Sequence, residues 1–285
     1  MKLNYYDTAD NITGDNPGTF SYGAVSRDGH KFFMKKVVNT GTEDSFSDIP
    51  LRSGSDSNDG YLKNRLDYYK ALAQCRNGNI MIVHDFFKYR SSYFAVSDYI
   101  SRTPLLLDEI VSLDTENRLL LTKSILYSYA FLNFRHAVHF NVKTSNIMVV
   151  PSEKGFAAKI INFDFGFLEN TEPHSLNGST GYISPEHYLK LQGMPITLSC
   201  QSDVFSLGIV LHEMWTGEKP GIPGMRSTAG SLAEAVCRGS APVLRKELPG
   251  LVRELIRDML EPVAEKRITA ARAHAILAKN ANHVF

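Results

Sequence analysis

The feature that most constrains this chain is the segment DVFSLGIVLHEMW, residues 203–215, which would be apolar on nearly every side of a helix. A surface helix keeps its apolar residues on one stripe, whereas a helix that is apolar all round is buried. The apolar run is too short to span a bilayer, and polar residues interrupt it. We therefore predict a buried central helix, which needs other elements packed around it.

The second half of the chain supplies such elements. Asp114 is placed to cap a helix, and we predict further helices near residues 230–239, 248–261 and 269–280. Two short strands, NIMVV and AAKIINF, are predicted on either side of residues 151–155. The apolar periodicity predicts the residues of the capped helix that face inward: Leu119, Leu120, Ile125, Leu126, Tyr129 and Leu132.

The first third of the chain has a different pattern, which is typical of strands. Residues 18–27 and 30–38 flank Asp28-Gly29, a favoured two-residue hairpin turn. A second hairpin is predicted from MIVHDFF to YFAVSDYI. Between the two hairpins, a helix from about Tyr61 to Cys75 has an apolar face that we expect to consist of Leu62, Leu66, Tyr69 and Leu72.

Composition excludes several classes of protein. The apolar fraction of 43% and the charged fraction of 21% are ordinary for a globular protein. The net charge of +1 gives no reason to expect a nucleic-acid or membrane partner. The three cysteines are far apart and form no C-x-x-C pair, which disfavours disulfides and zinc and favours a reducing, cytoplasmic setting. The first residues, MKLNYYDTAD, lack the apolar core of a signal peptide.

Four segments carry the chemistry. They are HFNVKTSNIMVV (139–150), NFDFGF (162–167), GSTGYISPEH (178–187) and SDVFSLG (202–208), with Arg267 farther on. In this order they resemble the catalytic loop H-R-D-L-K-x-x-N, the D-F-G motif, the A-P-E motif and the D-x-x-S-x-G of protein kinases. One such motif is weak evidence, but five features in the right order are strong. The resemblance covers about residues 18–280.

This resemblance implies an α+β, bilobal fold with a small β-rich lobe (1–98), a hinge (99–103) and a larger helical lobe (104–285). It implies transfer of the ATP γ-phosphate to protein Ser/Thr hydroxyls with Mg²⁺. Asp164 and Asn146 are then the expected metal ligands, since hard cations prefer oxygen ligands. Lys143 lies two residues after the base position, as in Ser/Thr kinases, and should sit near the γ-phosphate. Ser179 stands where this class has a Thr that docks beside the catalytic loop.

The nucleotide-binding residues are also assigned by resemblance. GTFSYGAV fits a degenerate Gly-rich loop, with Gly18, Gly23 and Val25 at matching positions, although a plain hairpin is a serious alternative. Lys35 matches the strand lysine that holds the α- and β-phosphates, and Lys36 is the second candidate. Met148 is expected below the adenine.

The hinge assignment rests on YFAVSDYIS. Asp98, Tyr99 and Ile100 match the linker whose backbone bonds the adenine. Ser97 falls at the gatekeeper position, where so small a side chain predicts a deep pocket that admits bulky adenine analogues. Phe33 falls where most kinases have a small Ala, and it is expected to narrow the adenine pocket.

Asn141 stands where the family has its catalytic Asp. An amide cannot act as a base near neutral pH, although its oxygen can still accept a hydrogen bond. General base catalysis is worth about 10²–10⁴-fold, so we expect severely slowed transfer. One explanation is a natural pseudokinase that serves as a nucleotide- or partner-binding scaffold. The other, which the retention of Lys143, Asn146 and Asp164 favours, is an Asp→Asn substitution introduced to silence an active kinase.

Two further departures concern regulation. Phe140 replaces the Arg that would bind a phosphorylated activation loop, so we predict activity that does not depend on phosphorylation of that loop. Its candidate sites are Thr171, Ser175, Ser179 and Thr180. The first helix lacks the family's Glu: Asn64 and Arg65 are nearest in position, and Asp67 is one or two places away.

Other expectations follow from the motifs. Glu186 and Arg267 resemble the ion pair that ties the activation segment to the helical lobe. His136 and His139 have a spacing that a metal pair could use, but a structural His139 fits the resemblance better. DGHKFFMKK and GYISPE have a bacterial style. The expected partners are a protein substrate and, as one option, a regulatory protein that remodels the first helix. An aminoglycoside-type phosphotransferase is a third hypothesis, which Lys143 and the SPE segment disfavour.

Overall fold

The computed structural model describes residues 2–8, 22–39, 58–89, 92–173, 175–176, 178–223 and 231–280. The chain divides into two compact units. The sheet unit comprises Met1–Arg76 and Met81–Thr103, and the helical unit comprises Asn77–Ile80 and Pro104–Phe285. The α+β prediction, with a β-rich first part and a helical second part, is confirmed. The lobe limits at residues 98 and 104 stay a prediction.

The sheet unit is built on six antiparallel strands in the order β1-β2-β3-β4-β6-β5. Asp28 and Gly29 join β3 to β4 with φ angles of 52° and 77°, and Arg27 pairs with His30. Both central residues are left-handed, as the predicted two-residue turn requires. The strands are β1 Lys2–Leu3, β2 Tyr6–Thr8, β3 Tyr22–Arg27, β4 His30–Asn39, β5 Val83–Tyr89 and β6 Ser92–Asp98.

Helix α1 (Asn58–Ala73) packs on this sheet with a face that differs from the predicted one. Leu66 is 37% exposed, whereas Arg65, Tyr68, Tyr69 and Leu72 are buried. The prediction for Leu66 was therefore wrong. The reason is that aromatic rings, including Tyr69 against Phe86 at 5.2 Å, define the buried stripe, and Arg65 packs its guanidinium over three tyrosine rings.

The helical unit surrounds α5 (Cys200–Thr216), the central helix predicted from the apolar segment. All but three of its residues are buried, and it ends at Gly217, whose φ of 80° is the left-handed cap conformation. Gly208 lets Leu260 approach, since a Cβ there would lie 3.0 Å from Leu260 Cδ2. The buried central helix is thus confirmed.

Helix α3 (Thr115–Phe134) begins as predicted at Asp114, whose carboxylate accepts the Asn117 N–H at 2.7 Å. Its buried face includes all of the predicted residues except Leu120, which is 53% exposed. Leu120 lies one residue from Leu119 and Leu121, about 100° around the helix from each, and both of those residues are buried.

Short elements complete the helical unit. Residue 80 forms an isolated bridge with residue 160, which ties the segment Asn77–Ile80 to β9. Among the described residues, no helix is long and apolar enough to cross a membrane. The elements are α2 Leu107–Val111, β7 Ala137–Val138, β8 Ile147–Ser152, β9 Gly155–Ile160, β10 Phe167–Leu168, α4 Pro185–Leu191, α6 Leu232–Cys237, α7 Gly250–Met259 and α8 Ala270–Asn280.

Candidate active site

The loop 139–146 is fixed to the central helix by one buried carboxylate. The backbone N–H groups of His139 and Phe140 donate to Asp203 at 2.6 and 2.9 Å. Burial raises the pKa of Asp203 to about 7, and the two N–H donors act against that rise. Phe140 has a φ of 62°, a left-handed conformation that is uncommon for an aromatic residue. The carboxylate thus holds a strained turn in place.

His139 is a structural part of this loop. Its Nε2 bonds the carbonyl oxygen of Ile161 at 3.0 Å, and its Nδ1 accepts the N–H of Asn141 at 3.2 Å. Burial lowers the pKa of His139 to about 4, so the ring is neutral at physiological pH. His136 bonds Glu169 instead, at 2.6 Å. The two imidazole rings therefore form hydrogen bonds with different groups, as expected for histidines that have structural roles.

Asn141 is buried at the centre of the loop. Its backbone carbonyl oxygen accepts a hydrogen bond from Asn146 Nδ2 at 2.7 Å, and Asn146 Oδ1 accepts one from Asn162 Nδ2 at 3.3 Å. Asn141 also lines a cavity together with Ser179 and Tyr182. The structure therefore brings together the predicted residues Asn141, Asn146 and Ser179 in one unit.

A hydroxyl–carboxylate network beside Lys143 was not predicted from the sequence. Tyr182 Oη donates to Glu213 at 2.6 Å, and the Thr144 hydroxyl donates to the same carboxylate oxygen. Burial and this hydrogen bond raise the pKa of Tyr182 to about 12. Lys219 places its ammonium 3.8 Å from the centre of the Tyr182 ring. The sequence signal was that Glu213 is a carboxylate in the otherwise mostly apolar second half of α5.

The predicted residues Asp164 and Met148 also belong to the helical unit. Phe163, which precedes Asp164, packs edge-on against His139 at 4.5 Å. Asp164 is itself partly buried. Met148 lies on β8, opposite Lys159 on β9, and is also partly buried.

Glu186 and Arg267 form the ion pair that the sequence predicted. Arg267 donates through two nitrogens to the two Glu186 oxygens at 2.8 and 3.1 Å, and Ser202 Oγ donates to Glu186 at 2.9 Å. Burial acts to raise the pKa of Glu186, but the hydrogen bonds and charge of Arg267 outweigh it and lower the pKa. Both side chains are buried, so the bidentate ion pair fixes α4 to the segment that precedes α8.

Phe140 fills the place of the missing Arg with an aromatic stack. Its ring lies 4.3 Å from the His187 ring at an interplanar angle of 19°, and 5.2 Å from Phe167 in an edge-on contact. His187 Nε2 bonds the Leu176 carbonyl oxygen at 2.8 Å, and burial lowers the pKa of His187. A Cβ at Gly178 would lie 2.7 Å from the His187 ring. Apolar packing and the His187 ring thus hold Leu176 and Gly178.

In the sheet unit, the register of strand pairing shows which side chains lie on the same face of the sheet. Phe33 pairs directly with Ser97, and Lys35 pairs with Ala95, which pairs in turn with Phe86. Directly opposite residues project from the same face of a sheet. Because Phe86 contacts α1, Lys35 lies on the α1 side, whereas Lys36 lies on the other side. This favours Lys35 over Lys36.

Val25 is on the face opposite to Lys35. It pairs with Phe32 and is buried in a cluster with Tyr6, Met34, Phe94 and Val96. Val25 therefore lies on the face of the sheet opposite to Lys35, and its contact with nucleotide stays a prediction. Ala24, which pairs with Phe33, occupies the Lys35 face instead.

The glycine assignments depend on the same register. Gly23 pairs with Met34, on the Val25 face. Gly18 lies outside the described residues, so the Gly-rich loop stays a prediction.

The hinge and the first helix complete the predicted set. Asp98 ends β6, and its carboxylate pairs with His84 at 2.6 Å, while Ile100 is partly buried two residues later. Asp67 turns to the surface and pairs with Lys70 at 3.1 Å. The position nearest the missing Glu is thus occupied by the buried Arg65.

Comparisons with known proteins agree with the motifs. Residues 19–279 match the family model described as a protein kinase domain. A probable serine/threonine-protein kinase of Clostridium acetobutylicum is 29% identical over 211 residues, which are 69% of this chain and 30% of that protein. The serine/threonine-protein kinase cds1 of Schizosaccharomyces pombe is 26% identical over 272 residues, 90% of this chain and 55% of that protein.

A plant relative extends this range. The MDIS1-interacting receptor like kinase 2 of Arabidopsis thaliana is 27% identical over 218 residues, 72% of this chain. The chain spans between 20% and 55% of the lengths of these three relatives.

Proposed function

Because this chain belongs to the protein kinase domain family, we propose that it is a Ser/Thr kinase domain whose transfer of the ATP γ-phosphate is limited by Asn141. The observation that carries the proposal is the intact support of the catalytic loop. Asp203, His139 and Asn146 hold the backbone on both sides of Asn141. A substitution confined to the base therefore leaves the rest of the loop organised.

Mg²⁺ would be held by the Asp164 carboxylate and the Asn146 side-chain oxygen. The residues fit such an ion. The side-chain nitrogen of Asn146 donates to the backbone carbonyl of Asn141, which directs the side-chain oxygen of Asn146 away from that carbonyl. Among the described residues, no group of three or more His, Cys, Asp or Glu could hold a metal. Mg²⁺ usually binds one or two carboxylates together with phosphates and water, so one carboxylate and one amide oxygen suit it as protein ligands. When bound, the ion would neutralise phosphate charge.

The other roles follow the geometry of each unit. Lys143 supplies a positive charge for the γ-phosphate, and Ser179 shares the Asn141 cavity where an acceptor hydroxyl would approach. Lys35 binds the α- and β-phosphates. In the sheet unit, the backbone of Asp98 and Ile100 binds the adenine, and Ser97, Phe33 and Ala24 are the side chains proposed to contact it. In the helical unit, Met148 is the proposed adenine contact.

The decisive experiment restores the base. We expect Asn141→Asp to raise phosphoryl transfer from radiolabelled ATP to protein hydroxyls by about 10²–10⁴-fold, because the carboxylate can accept the hydroxyl proton. The matched control is Asn141→Ala, which keeps the loop but supplies no base. A second control, Asn141→Asp with Asp164→Asn, removes a metal ligand and should be inactive. Folded Asn141→Asp protein without transfer to itself or to a panel of Ser/Thr peptides would contradict the proposal.

The alternative is a pseudokinase scaffold that binds nucleotide or a partner. Asn141 itself and the bulky Phe33 favour it. It predicts that nucleotide raises the melting temperature while Asn141→Asp remains inactive. Since the chain spans only part of its relatives, the substrate, any regulatory partner and a cytoplasmic location of the whole protein are proposals as well.

A further inference from the structure

Helices α3 and α8 share an outer surface that the proposed phosphoryl transfer does not use. On α3, Leu120 is 53% exposed, Tyr127 42% and Phe134 73%. These residues follow one another at intervals of seven, and a helix drifts only about 20° per seven residues, so the three side chains form one row along α3. A row of exposed apolar side chains on one helix is a candidate interaction surface.

Helix α8 places a strip of small residues beside this row. The His274 ring lies 5.2 Å from the Tyr127 ring, so that side of α8 faces α3. Successive residues of a helix are about 100° apart, which puts the exposed Ala271, Ala275 and Ala278 within about 60° of one another and next to His274. A low strip of alanines therefore runs beside the taller row of α3.

Two cations border the alanine strip on its other side. Arg272 and Lys279 are exposed, and they lie about 80–100° around α8 from Ala271, on the side away from His274. The strip is thus the floor of a shallow groove, with the row of α3 as one wall and the two cations as the other. We name it the α3–α8 groove.

The charge around this groove is positive. A single acid is present, at the beginning of α3, against four cations: Glu116 against Lys123, Arg135, Arg272 and Lys279. None of the four cations is in an ion pair with any residue that the structure describes. Since complementary charge steers association and selects partners, the groove favours an occupant that carries acids.

The spacing of the groove residues indicates the shape of this occupant. Each step from Leu120 to Tyr127 to Phe134 rises by about 10.5 Å along α3, and Arg272 and Lys279 are separated by the same rise along α8. A helix whose sequence repeats every seven residues presents its side chains at this rise, whereas the headgroups of a fluid lipid surface have no fixed spacing. Recognition of a helix in a groove uses apolar anchors of this kind.

We propose that the α3–α8 groove binds an acidic amphipathic helix of a partner protein. The apolar side chains of that helix pack on the alanine strip and the α3 row, and its carboxylates pair with Arg272 and Lys279. Lys123 and Arg135 add to the attraction, and Glu116 keeps acids away from the beginning of α3. This binding is independent of phosphoryl transfer.

The test uses a stapled helical peptide of three heptads, with Leu at every seventh position and Glu at the flanking positions. Its binding to the full chain is measured by fluorescence anisotropy. We expect the affinity to fall by about tenfold from low to high salt, because salt screens exposed charges. A peptide of the same composition, shuffled so that the seven-residue repeat is lost, should bind much more weakly.

Charge reversal tests the cationic wall. Arg272→Glu and Lys279→Glu should each weaken binding by about fivefold, because an attractive exposed pair becomes a repulsive one. The matched control is Lys246→Glu, which reverses an exposed cation of the same unit outside α3 and α8 and should leave binding unchanged. The double reversal at 272 and 279 should prefer the same peptide with Lys in place of each Glu.

Ala275→Phe separates a groove from a membrane-binding surface. A ring on the floor should abolish peptide binding because it fills the place of the occupant, whereas added apolar area strengthens attachment to a membrane. Vesicles of phosphatidylserine and phosphatidylcholine are therefore titrated in parallel, and melting temperatures confirm that each variant is folded. The proposal is overturned by no peptide binding at about 200 μM or by equal binding of the shuffled peptide. Reversals without effect overturn it too, as does vesicle binding that Ala275→Phe strengthens.

Discussion

The helical unit and the sheet unit hold their functional residues by different contacts. In the helical unit, carboxylates and amides are bonded to backbone or to an arginine: Asp203 to two N–H groups, Asn146 to a carbonyl, Glu186 to Arg267. In the sheet unit, two residues that depart from the family pattern, Phe33 and Arg65, lie against uncharged neighbours. Phe33 lies opposite Ser97, and the buried Arg65 lies among tyrosines.

The difference explains which family residues this chain retains. A buried hydrogen bond needs one particular group, because a donor or acceptor left without its partner costs about 1–3 kcal/mol. Packing needs volume and shape, and volume-conserving exchanges usually cost less than about 1.5 kcal/mol. The hydrogen-bonding residues Asp203, Asn146 and Glu186 therefore match the family motifs. Aromatic residues replace the family's residue types at positions where packing determines the fit. Phe140, Asn141 and Ser179 are departures that lie in the helical unit.

The largest expected effect is in the polar network. Arg267→Ala should lower the free energy of unfolding by about 3–5 kcal/mol, because it leaves the buried Glu186 carboxylate without its partner. Chemical denaturation measures this loss. The control is Arg238→Ala, which removes an exposed pair with Glu234 and should change stability little. Equal losses in the two variants would break the comparison.

Acid sensitivity gives a second measure of the same pair. The folded-state pKa of Glu186 lies below its ordinary value of 4.5, so its stabilisation is complete above about pH 4.5 and is lost as the pH falls through the folded pKa. Denaturation curves between pH 6 and pH 3 should show this loss in the native chain. Arg267→Ala should lack that component. An identical acid profile in both proteins would contradict the assignment.

A smaller effect is expected at the aromatic stack. Phe140→Leu keeps most of the buried volume but removes the ring contacts with His187 and Phe167, which should cost about 1 kcal/mol. Phe140→Arg restores the family residue but places a charge in an apolar cluster, so it should destabilise more than Leu does. Thermal unfolding of the two variants tests the order. An Arg variant as stable as the Leu variant would show that the site is not apolar in solution.

Ligand selectivity tests the packing of the sheet unit. Because Phe33 faces Ser97, we expect Phe33 to take up the room that the small Ser97 leaves. Phe33→Ala should then admit adenine analogues with bulky N6 substituents, while the native chain should bind them weakly. Ser97→Met in the Phe33→Ala background should exclude them again. Calorimetric titration with such an analogue checks this. Tight binding to the native chain would favour the original prediction of an open pocket behind Ser97.

The smallest effect is expected from phosphorylation. With Phe140 in place of the phosphate-binding Arg, alanine replacements at Thr171, Ser175 and Thr180 should leave transfer by the Asn141→Asp form nearly unchanged. Initial rates before and after phosphatase treatment measure this. A large loss in either case would show that a cation elsewhere reads the phosphate.

The sequence predicted what depends on strict chemistry or strong periodicity. The Asp28-Gly29 turn, the Asp114 cap, the central helix and the pairing of Glu186 with Arg267 all follow from requirements that few residues meet. The errors came where neighbours decide. Leu120 and Leu66 are apolar but face outward. Val25 lies on the sheet face opposite to Lys35, because a one-residue shift in a strand changes the face to which a side chain points.

Some of the site lay beyond sequence reasoning for the same physical cause. The Thr144–Tyr182–Glu213 network joins three segments that are far apart in the chain. Thr144 and Tyr182 lie within motif segments, but at positions to which the motifs assign no role. The stack of Phe140 on His187 is also long-range. The sequence showed only that an Arg was missing, not what filled its place.

The two amides that donate to Asp203 have a consequence for the timescale on which the catalytic loop can open. An N–H bonded to a buried carboxylate exchanges its proton with solvent only when the structure around it opens. The amide protons of His139 and Phe140 should therefore be among the slowest to exchange with deuterium in the helical unit. Any regulator that loosens the catalytic loop would have to open the core around α5. We therefore expect rapid regulation of activity to act on segments outside this loop.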